Sequence, residues 1–403
     1  MNLAEFKLLR ALRMERTGDK GVLSNLAGVS YQTAVNVFNP KNNSPSPLQP
    51  YMKSEDEKTF EILPNARFFI GLSLGASTLK TIVINNVFEP VDKQGVDDAY
   101  KYLVEQHDAR IENGGLCISM PKSFEQLLII INSILEKLLA LDLKYEGVGF
   151  AFSGLVKNQE QKIDVCYNVD YLNDATIDKI VGPNIFNILK EKGITICVDH
   201  NSKASAIADK ELDRDLHSYR NIMSLYLGTG IGAGFILDNI LYRGNRNASG
   251  QVGHIKFPAP LIGPDKKITD YGQCTCGKYG CIEQLMRQEV FGVDFEKFKE
   301  TIHEVDVKKT LTDTQIKNLS MYIAYLISCL TNSLSFDIIV ISGTLVQFYN
   351  KMWPHLTSYL KDYQYASIQN NTLLKESKTG IFAPAIGVAI ESHYLHHDRD
   401  ISW

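Results

Sequence analysis

The residues best suited to chemistry in this chain are His254, Cys274, Cys276 and Cys281, found in GQVGHIKFPAP and, after a loop, QCTCGKYGCIEQL. Three thiols within eight positions and an imidazole upstream match a tetrahedral Cys3His zinc site. Gly277 and Gly280 flank the tight turn and free the backbone to wrap a metal there. Four protein ligands leave no open coordination position, so the spacing predicts a structural ion rather than a catalytic one.

Glycines supply the second kind of chemistry. The string LGTGIGAGFILDN sets Gly228, Thr229, Gly230, Gly232 and Gly234 between two apolar strands. In such a turn, backbone amides approach a phosphate with no Cβ in the way. Glycine-rich hairpins that bind nothing have the same pattern. An earlier hairpin, GLSLGASTLK, carries Gly75 and Ser77 and reads as a weaker second clamp. Ser342-Gly343-Thr344 after IIVI reads either as a third loop placed to touch an adenosine or as an ordinary strand end.

The elements that must hold these loops follow from patterning. From Arg67 onward the chain reads α/β: strand–turn–strand, a long helix in PKSFEQLLIIINSILEKLLALDL, then a strand in EGVGFAFSGL. GITICVDHNSKASAIADKEL reads as strand then helix, and a helix is predicted from about Asp313 to Leu334. IGVAIESHYLHH is predicted to close the chain as a helix.

Residues 1 to about 60 differ in character. Leu3, Phe6, Leu8, Leu9 and Leu12 mark an amphipathic helix. Two short helices around Gly28-Val29-Ser30 then make a helix-turn-helix, with Leu26, Ala27, Val29, Ala34, Val35 and Phe38 as its packing set. Ser30 is predicted to cap the second helix, Tyr31 to Phe38, which would expose Gln32, Thr33 and Asn36 to base edges or phosphates. That helix has no Arg or Lys; Arg10, Arg13, Arg16, Lys20 and Lys41 nearby are the candidates for backbone charge. A head of this size also suits oligomerisation or partner contact. PKNNSPSPLQPYMKSEDEK reads as a loop, or a poor wing, and a linker.

Composition bounds the rest. The 403 residues suffice for two or three domains, 44% are apolar and 22% charged, and the net charge of -4 gives no general pull toward nucleic acid or membrane. No apolar run reaches the roughly 18 residues of a membrane span, and the N-terminal segment mixes charge with apolar residues unlike a secretory signal. Of seven cysteines, Cys117, Cys166, Cys197 and Cys329 sit in apolar contexts and are expected to be buried free thiols, which points to a reducing cytoplasm.

Taken in order, the two hairpins, the strand–helix at 194–212 and the metal loop resemble the ROK family of sugar kinases and sugar-responsive repressors, over about residues 66–403. The resemblance implies two actin/hexokinase-like (ribonuclease H-like) α/β lobes. The preceding all-α (winged) helix-turn-helix is what the repressor branch carries. The implied divisions are 1–60 for the head and linker, 66–195 plus 386–403 for the first lobe, and 196–385 for the second.

The family's first hairpin reads roughly D-x-G-G-T; here Ser73 stands at the Asp and Ala76 at the second Gly. Its E-N-D-A-N run is matched by Asp199-His200-Asn201-Ser202-Lys203, so the catalytic Asp is Asn201 and the sugar-contacting Asn is His200. Its G-E-x-G-H has become Gly250-Gln251-Val252-Gly253-His254, while Glu283 of the G-C-x-E segment is kept. Asn168 lies near another sugar-contacting position. An amide has no useful basicity near neutral pH, so Asn201 cannot act as a general base. The loss of the Asp at 73 weakens the case for ATP with Mg2+.

The resemblance therefore implies a cytoplasmic regulator, a repressor of carbohydrate genes, with a zinc-stabilised sensor body that has lost kinase activity. It would bind a palindromic operator as a homodimer or homotetramer and respond to a sugar or sugar phosphate held by Asn168, His200, Asn201, Gln251, His254 and Glu283. The alternatives are an active ATP-dependent kinase of glucokinase or N-acetylhexosamine kinase type, and a ligand-free protein with a vestigial pocket.

Overall fold

The structure is a computed structural model that describes residues 1–40, 44–258, 267–292, 311–366 and 372–402. The head begins with α1 (Leu3–Glu15), β1 (Thr17–Asp19), α2 (Lys20–Ala27) and α3 (Tyr31–Phe38). Asp19 caps α2 by accepting from the amides of Gly21 and Val22, and Gly28 ends it with φ 62°. Ser30 caps α3 by accepting from the Thr33 amide, as its sequence position predicts. Lys41, which sequence reading offered for backbone charge, lies outside the described residues.

The segment read as loop or poor wing contains β2 (Met52–Lys53) and leads directly into β3 (Thr59–Ile62), which pairs with both β2 and β1. Asp56 forms the turn between β2 and β3, accepting from the amides of Lys58 and Thr59. Leu8, Leu9, Leu12, Leu23, Ala34, Val37 and Phe38 are buried together with Phe60, which stacks on Phe38 at 4.2 Å. Four expected members of the packing sets are not buried: Val29 and Val35 are half-buried, and Leu3 and Leu26 are 53% and 49% exposed. Leu3 and Leu26 face a groove between the head and the C-terminal Asp398–Ser402 segment, and Val37 fills the core instead.

The first lobe carries a six-stranded sheet, order β11-β8-β4-β5-β7-β6. Its strands are β4 (Phe68–Leu74), β5 (Thr78–Asn85), β6 (Ala109–Glu112), β7 (Gly115–Ser119), β8 (Tyr145–Phe152) and β11 (Thr195–His200). A separate hairpin is formed by β9 (Leu155–Lys157) and β10 (Lys162–Val165). Helices α4 (Gln94–Gln106), α5 (Phe124–Leu139) and α6 (Ile177–Glu191) cover one face. The apolar runs of β4 and β8 are buried along their length, as strands covered on both faces require.

The second lobe repeats the plan, with sheet order β14-β13-β12-β15-β16. Its strands are β12 (Ile222–Leu227), β13 (Ile231–Leu237), β14 (Ile240–Tyr242), β15 (Ile338–Ser342) and β16 (Leu373–Glu376). Its helices are α8 (Ile282–Met286), α9 (Asp313–Leu334) and α10 (Tyr349–Tyr363).

Between the two sheets lie α7 (Asn201–Leu212), packed on β12 and β13, and the closing helix α11 (Ala383–His396), packed on β4, β8 and β11. They touch backbone to backbone: a Cβ at Gly387 would lie 1.7 Å from the Ala204 carbonyl oxygen. Cys117, Cys166 and Cys197 are buried as expected, whereas Cys329 is half-buried, on the outward side of α9. No described helix is long and apolar enough to cross a membrane.

The head docks on the body through a buried polar junction. Arg13 of α1 donates to the Asn86 carbonyl and side-chain oxygens at 2.7 and 2.9 Å and to His393 Nε2 at 2.8 Å. An arginine can only donate, so His393 Nε2 accepts and Nδ1–H faces Glu146 Oε2 at 3.2 Å. Glu146 also accepts from Tyr51 at 2.7 Å and Arg67 at 2.9 Å. Burial, with the charge of Arg13, pushes His393 down to about 3. Burial opposes ionisation of Glu146, but hydrogen bonds from His393 and Tyr51 prevail and hold it well below the usual carboxylate range. Glu146, His393 and His397 are close enough to hold a cation, yet Arg13 and Arg67 already deliver positive charge there.

Candidate functional site

The metal-type cluster forms as the spacing predicts. His254 ends a short 3-10 turn after the second Gly-rich strand, and the cysteines occupy the knuckle before α8. The cysteine segment closes on itself: the Cys274 amide donates to the Lys278 carbonyl and the Gly277 amide to the Cys274 carbonyl, each at 2.8 Å. Gly277 and Gly280 hold φ of 79° and 78°, the left-handed conformation that turn needs.

All four ligand atoms lie within 4.8 Å of one another, with His254 Nδ1 3.6 Å from Cys274 Sγ and Cys276 Sγ 3.6 Å from Cys281 Sγ. Zn–S bonds of about 2.3 Å in a tetrahedron set neighbouring sulfurs just under 4 Å apart, so three thiols and an imidazole at these distances fit zinc. Burial and the adjacent thiols push Cys281 up to about 12, against the Lys256 ammonium 2.9 Å from its sulfur. A divalent cation reverses that preference by holding the thiolates.

Beside the cluster lies a cavity of about 170 Å3. All six residues expected to hold a sugar line it: Asn168, His200, Asn201, Gln251, His254 and Glu283. His200 caps α7 through Nδ1, which lies 3.2 Å from the Ser202 amide and 2.8 Å from the Ser202 hydroxyl, while its Nε2 lies 3.3 Å from Gln251 Nε2. Burial, then the charge of Lys203, drives His200 down to about 3, so the ring is neutral. Glu283 accepts from the Ile231 amide at 2.8 Å and faces Arg287 at 3.4 Å. Its carboxylate thus holds the Gly-rich turn as well as the cavity wall. His254 borders both cavity and metal cluster.

A smaller cavity of about 50 Å3 adjoins it, lined by Gly75, Ser77, Thr229 and Gly230 together with Ser73 and Lys80. The two clamp loops meet here, with Ser77 and Thr229 hydroxyls 3.1 Å apart across the lobes. Gly232 lines the larger cavity, where its missing Cβ makes room for Ser202. Gly228 and Gly343 line neither cavity. Gly343 is needed for its backbone: at φ 90° a Cβ would lie 2.5 Å from the Leu227 carbonyl oxygen, and Thr344 beside it reaches the small cavity.

Sequence reading missed three groups. Lys80 is an isolated charge in the apolar strand TLKTIVIN and is 6% exposed beside the small cavity. Ser153 lines both cavities from the end of the first-lobe strand β8. Behind the site, Arg243 bridges Asp199 and Glu391, while Asn247 Nδ2 donates to Asp199 at 2.8 Å. Burial disfavours charge on both acids, but Arg243 and Lys203 keep Asp199 ionised, and burial with the Asp199 charge pushes Glu391 up. A charge inside an apolar strand or helix is the signal that could have flagged Lys80, Asp199 and Glu391; Ser153 and Arg243, each just past a strand end, carry no such signal.

On the head, Gln32 and Asn36 are exposed on α3 and bonded to each other at 3.0 Å, while Ser30 and Thr33 are joined at 2.8 Å in the cap. The expected supply of backbone charge is corrected. Arg13 is buried in the junction, Arg10 pairs with Glu211 of α7 at 3.2 Å, and Arg16 pairs with Glu89 at 2.7 Å. Arg10 and Arg13 sit on the side of α1 that meets the body, which takes them up; Arg16 follows the helix end and keeps much of its side chain exposed in a surface pair. Lys20 Nζ donates to the Glu57 carbonyl at 2.8 Å.

Comparison with known proteins agrees with this geometry. A solved ROK family transcriptional regulator, a homolog of the E. coli MLC protein, superposes with a TM-score of 0.66 over 97% of both chains at 17% identity. A ROK family glucokinase from Streptomyces griseus, in complex with glucose and AMPPNP, superposes with a TM-score of 0.55 over 81% of this chain and 99% of its own, at 16% identity. The xylose repressor of Bacillus subtilis is 21% identical over 257 residues, 62% of this chain and 62% of its own length. The model of the ROK family matches residues 116–393, and the chain belongs to that family.

Proposed function

We propose that this protein is a DNA-binding regulator whose kinase-like body senses a small carbohydrate and does not transfer phosphate. The observation that carries the reading is the coexistence, in one chain, of a capped helix-turn-helix docked on the body and an amide, Asn201, at the general-base position. The repressor and MLC-type relatives support it. The head comprises residues 1–62, which keeps β3 whole; the first lobe comprises 66–200 with 383–402, which keeps β11 in its sheet and α11 uncut, and the second lobe comprises 201–382, each bound shifted a few residues from the sequence expectation. Zinc held by His254, Cys274, Cys276 and Cys281 orders the loop that carries one wall of the sugar cavity. Two heads on a homodimer or homotetramer read a palindromic site, with Gln32 and Asn36 facing the groove and Ser30 and Thr33 fixing the helix start. Ligand acts by favouring one interlobe geometry, and therefore one spacing of the heads.

The test is a mobility-shift titration against DNA upstream of the protein's own gene. Wild-type protein is expected to shift it, and Gln32→Ala with Asn36→Ala to weaken binding about 10- to 100-fold at unchanged melting temperature. Equal binding by the variant, or hexose-dependent ATP turnover with no DNA binding, sinks the reading in favour of a kinase.

A further inference from the structure

We propose that the interlobe cleft takes a sugar phosphate monoester without a divalent metal, its phosphate on Lys80 and its sugar in the larger cavity. This rests on the sensor reading above and names the ligand class. Lys80 lies opposite Ser73 in the β4–β5 register and is 6% exposed. Among the described residues, no carboxylate lines its cavity and no hydrogen bond or ion pair engages its ammonium. A buried cation without a counter-ion is costly, and an anion in the cavity removes that cost.

The surroundings suit a phosphate. Hydroxyls of Ser73, Ser77, Thr78, Thr229 and Thr344 line the same space. A water needs roughly 10–15 Å3 by this measure, so about 50 Å3 holds the few oxygens of one phosphate group and not a triphosphate. Magnesium requires carboxylate anchoring or a triphosphate to bridge, and Ser73 and Asn201 offer no charge.

The two cavities are continuous. Ser153, Asn168, Asn201, Tyr226 and Gly230 line both. Two buried oxygens at that junction, Ser153 Oγ and Asn168 Oδ1, have no hydrogen-bond partner. Sugar hydroxyls would satisfy them, while the phosphate reaches past Asn201 to Lys80. A neutral sugar leaves Lys80 unpaired, and inorganic phosphate leaves the two oxygens unpaired, so only the ester answers both.

The test is calorimetric titration of the zinc-loaded full chain with glucose, N-acetylglucosamine, their 6-phosphates and inorganic phosphate, with and without Mg2+. One 6-phosphate is expected to bind about tenfold or more tighter than its parent sugar and than inorganic phosphate, independently of Mg2+. Lys80→Met is expected to cut that preference to about twofold or less, and Thr229→Val, a milder change, to reduce it several-fold. Melting curves check that both variants fold. Equal affinity for free and phosphorylated sugar, a preference surviving in the folded Lys80→Met or unmoved in Thr229→Val, a Mg2+ requirement, or binding of phosphate alone each overturns the anion site. Binding of free sugar in the first case leaves the sensor reading standing; no binding by any probe at millimolar concentration removes both.

Discussion

Ser73 donates its hydroxyl hydrogen to the Asn201 side-chain oxygen at 3.2 Å. The two positions that align with the family's acidic pair are thus bonded to each other across the cleft floor. Asn201 also donates to the Leu74 carbonyl at 3.4 Å. A neutral hydroxyl–amide pair closes this contact without the repulsion of two carboxylates, and leaves nothing there to take a proton.

Wild-type protein is therefore expected to release no hexose-dependent ADP in a coupled assay. The double variant S73D/N201D returns the charges, and a positioned base is worth about 10²–10⁴-fold. Turnover by the wild type would overturn this view of the site; a gain in the double variant would show that the lost carboxylates alone silence it.

The metal cluster gives a separate prediction. Metal analysis should find one zinc per chain, and Cys281→Ser should lose it. Structural zinc contributes on the order of 10 kcal/mol in small domains, so the variant should melt at a clearly lower temperature. Because His254 borders both sites, sugar affinity should fall as well. Full zinc content in Cys281→Ser would exclude the tetrahedral assignment.

Arg13→Ala removes the donor for Asn86 and His393. Leaving such buried acceptors unpaired costs about 1–3 kcal/mol each, and with three acceptors affected denaturant titration should show a loss at or above the upper end of that range. Arg13→Lys should not restore it, because an ammonium cannot span the three acceptors as the guanidinium fork does. Rescue by lysine would argue that charge alone holds the head.

Acid should loosen the molecule through its histidines first. His200 and His393 are held down at about 3 against an ordinary 6.5, chiefly by burial. As pH falls below 6.5, the unfolded chain binds protons that these folded rings refuse, so stability falls with pH. The slope approaches about 1.4 kcal/mol per pH unit for each ring. Glu146, held low, adds its own loss only as pH drops below its ordinary 4.5. Urea midpoints at pH 7.5, 6 and 5 test this, and His393→Gln should flatten the slope above 4.5. A midpoint constant from 7.5 to 5 would contradict it.

What could be read from the chain divides by sequence distance. The cysteine knuckle was legible because its ligands and its positive-φ glycines are local. So were the two strand–Gly–strand hairpins, the Ser30 cap and α9, each written in contiguous periodicity. Ser73, Asn201 and Gln251 were legible only against a family pattern, and the larger cavity does collect all six residues expected in it. Lys80 was hidden because one lysine in an apolar strand looks like an edge residue until its cleft is seen. Arg13, Glu146 and His393 were hidden because their contacts span hundreds of residues. The arginines of α1 read as DNA-facing charge for the same reason: helical spacing gives a face, not the partner that face meets.

The glycine contact between α7 and α11 has a mechanical meaning. With Gly387 pressed on the Ala204 carbonyl, no side chain cushions the two backbones, so neither helix can slide along the other. Rotation about the contact involves no such collision. The crossing is a bearing without clearance, and a hinge there would open and close the cleft by rotation alone. Glu391, one turn beyond it, joins the Arg243–Asp199 bridge behind the larger cavity, and His393 and Tyr394 meet the head. A few degrees at the bearing would become displacement at the head, carried by a shaft less than three turns long.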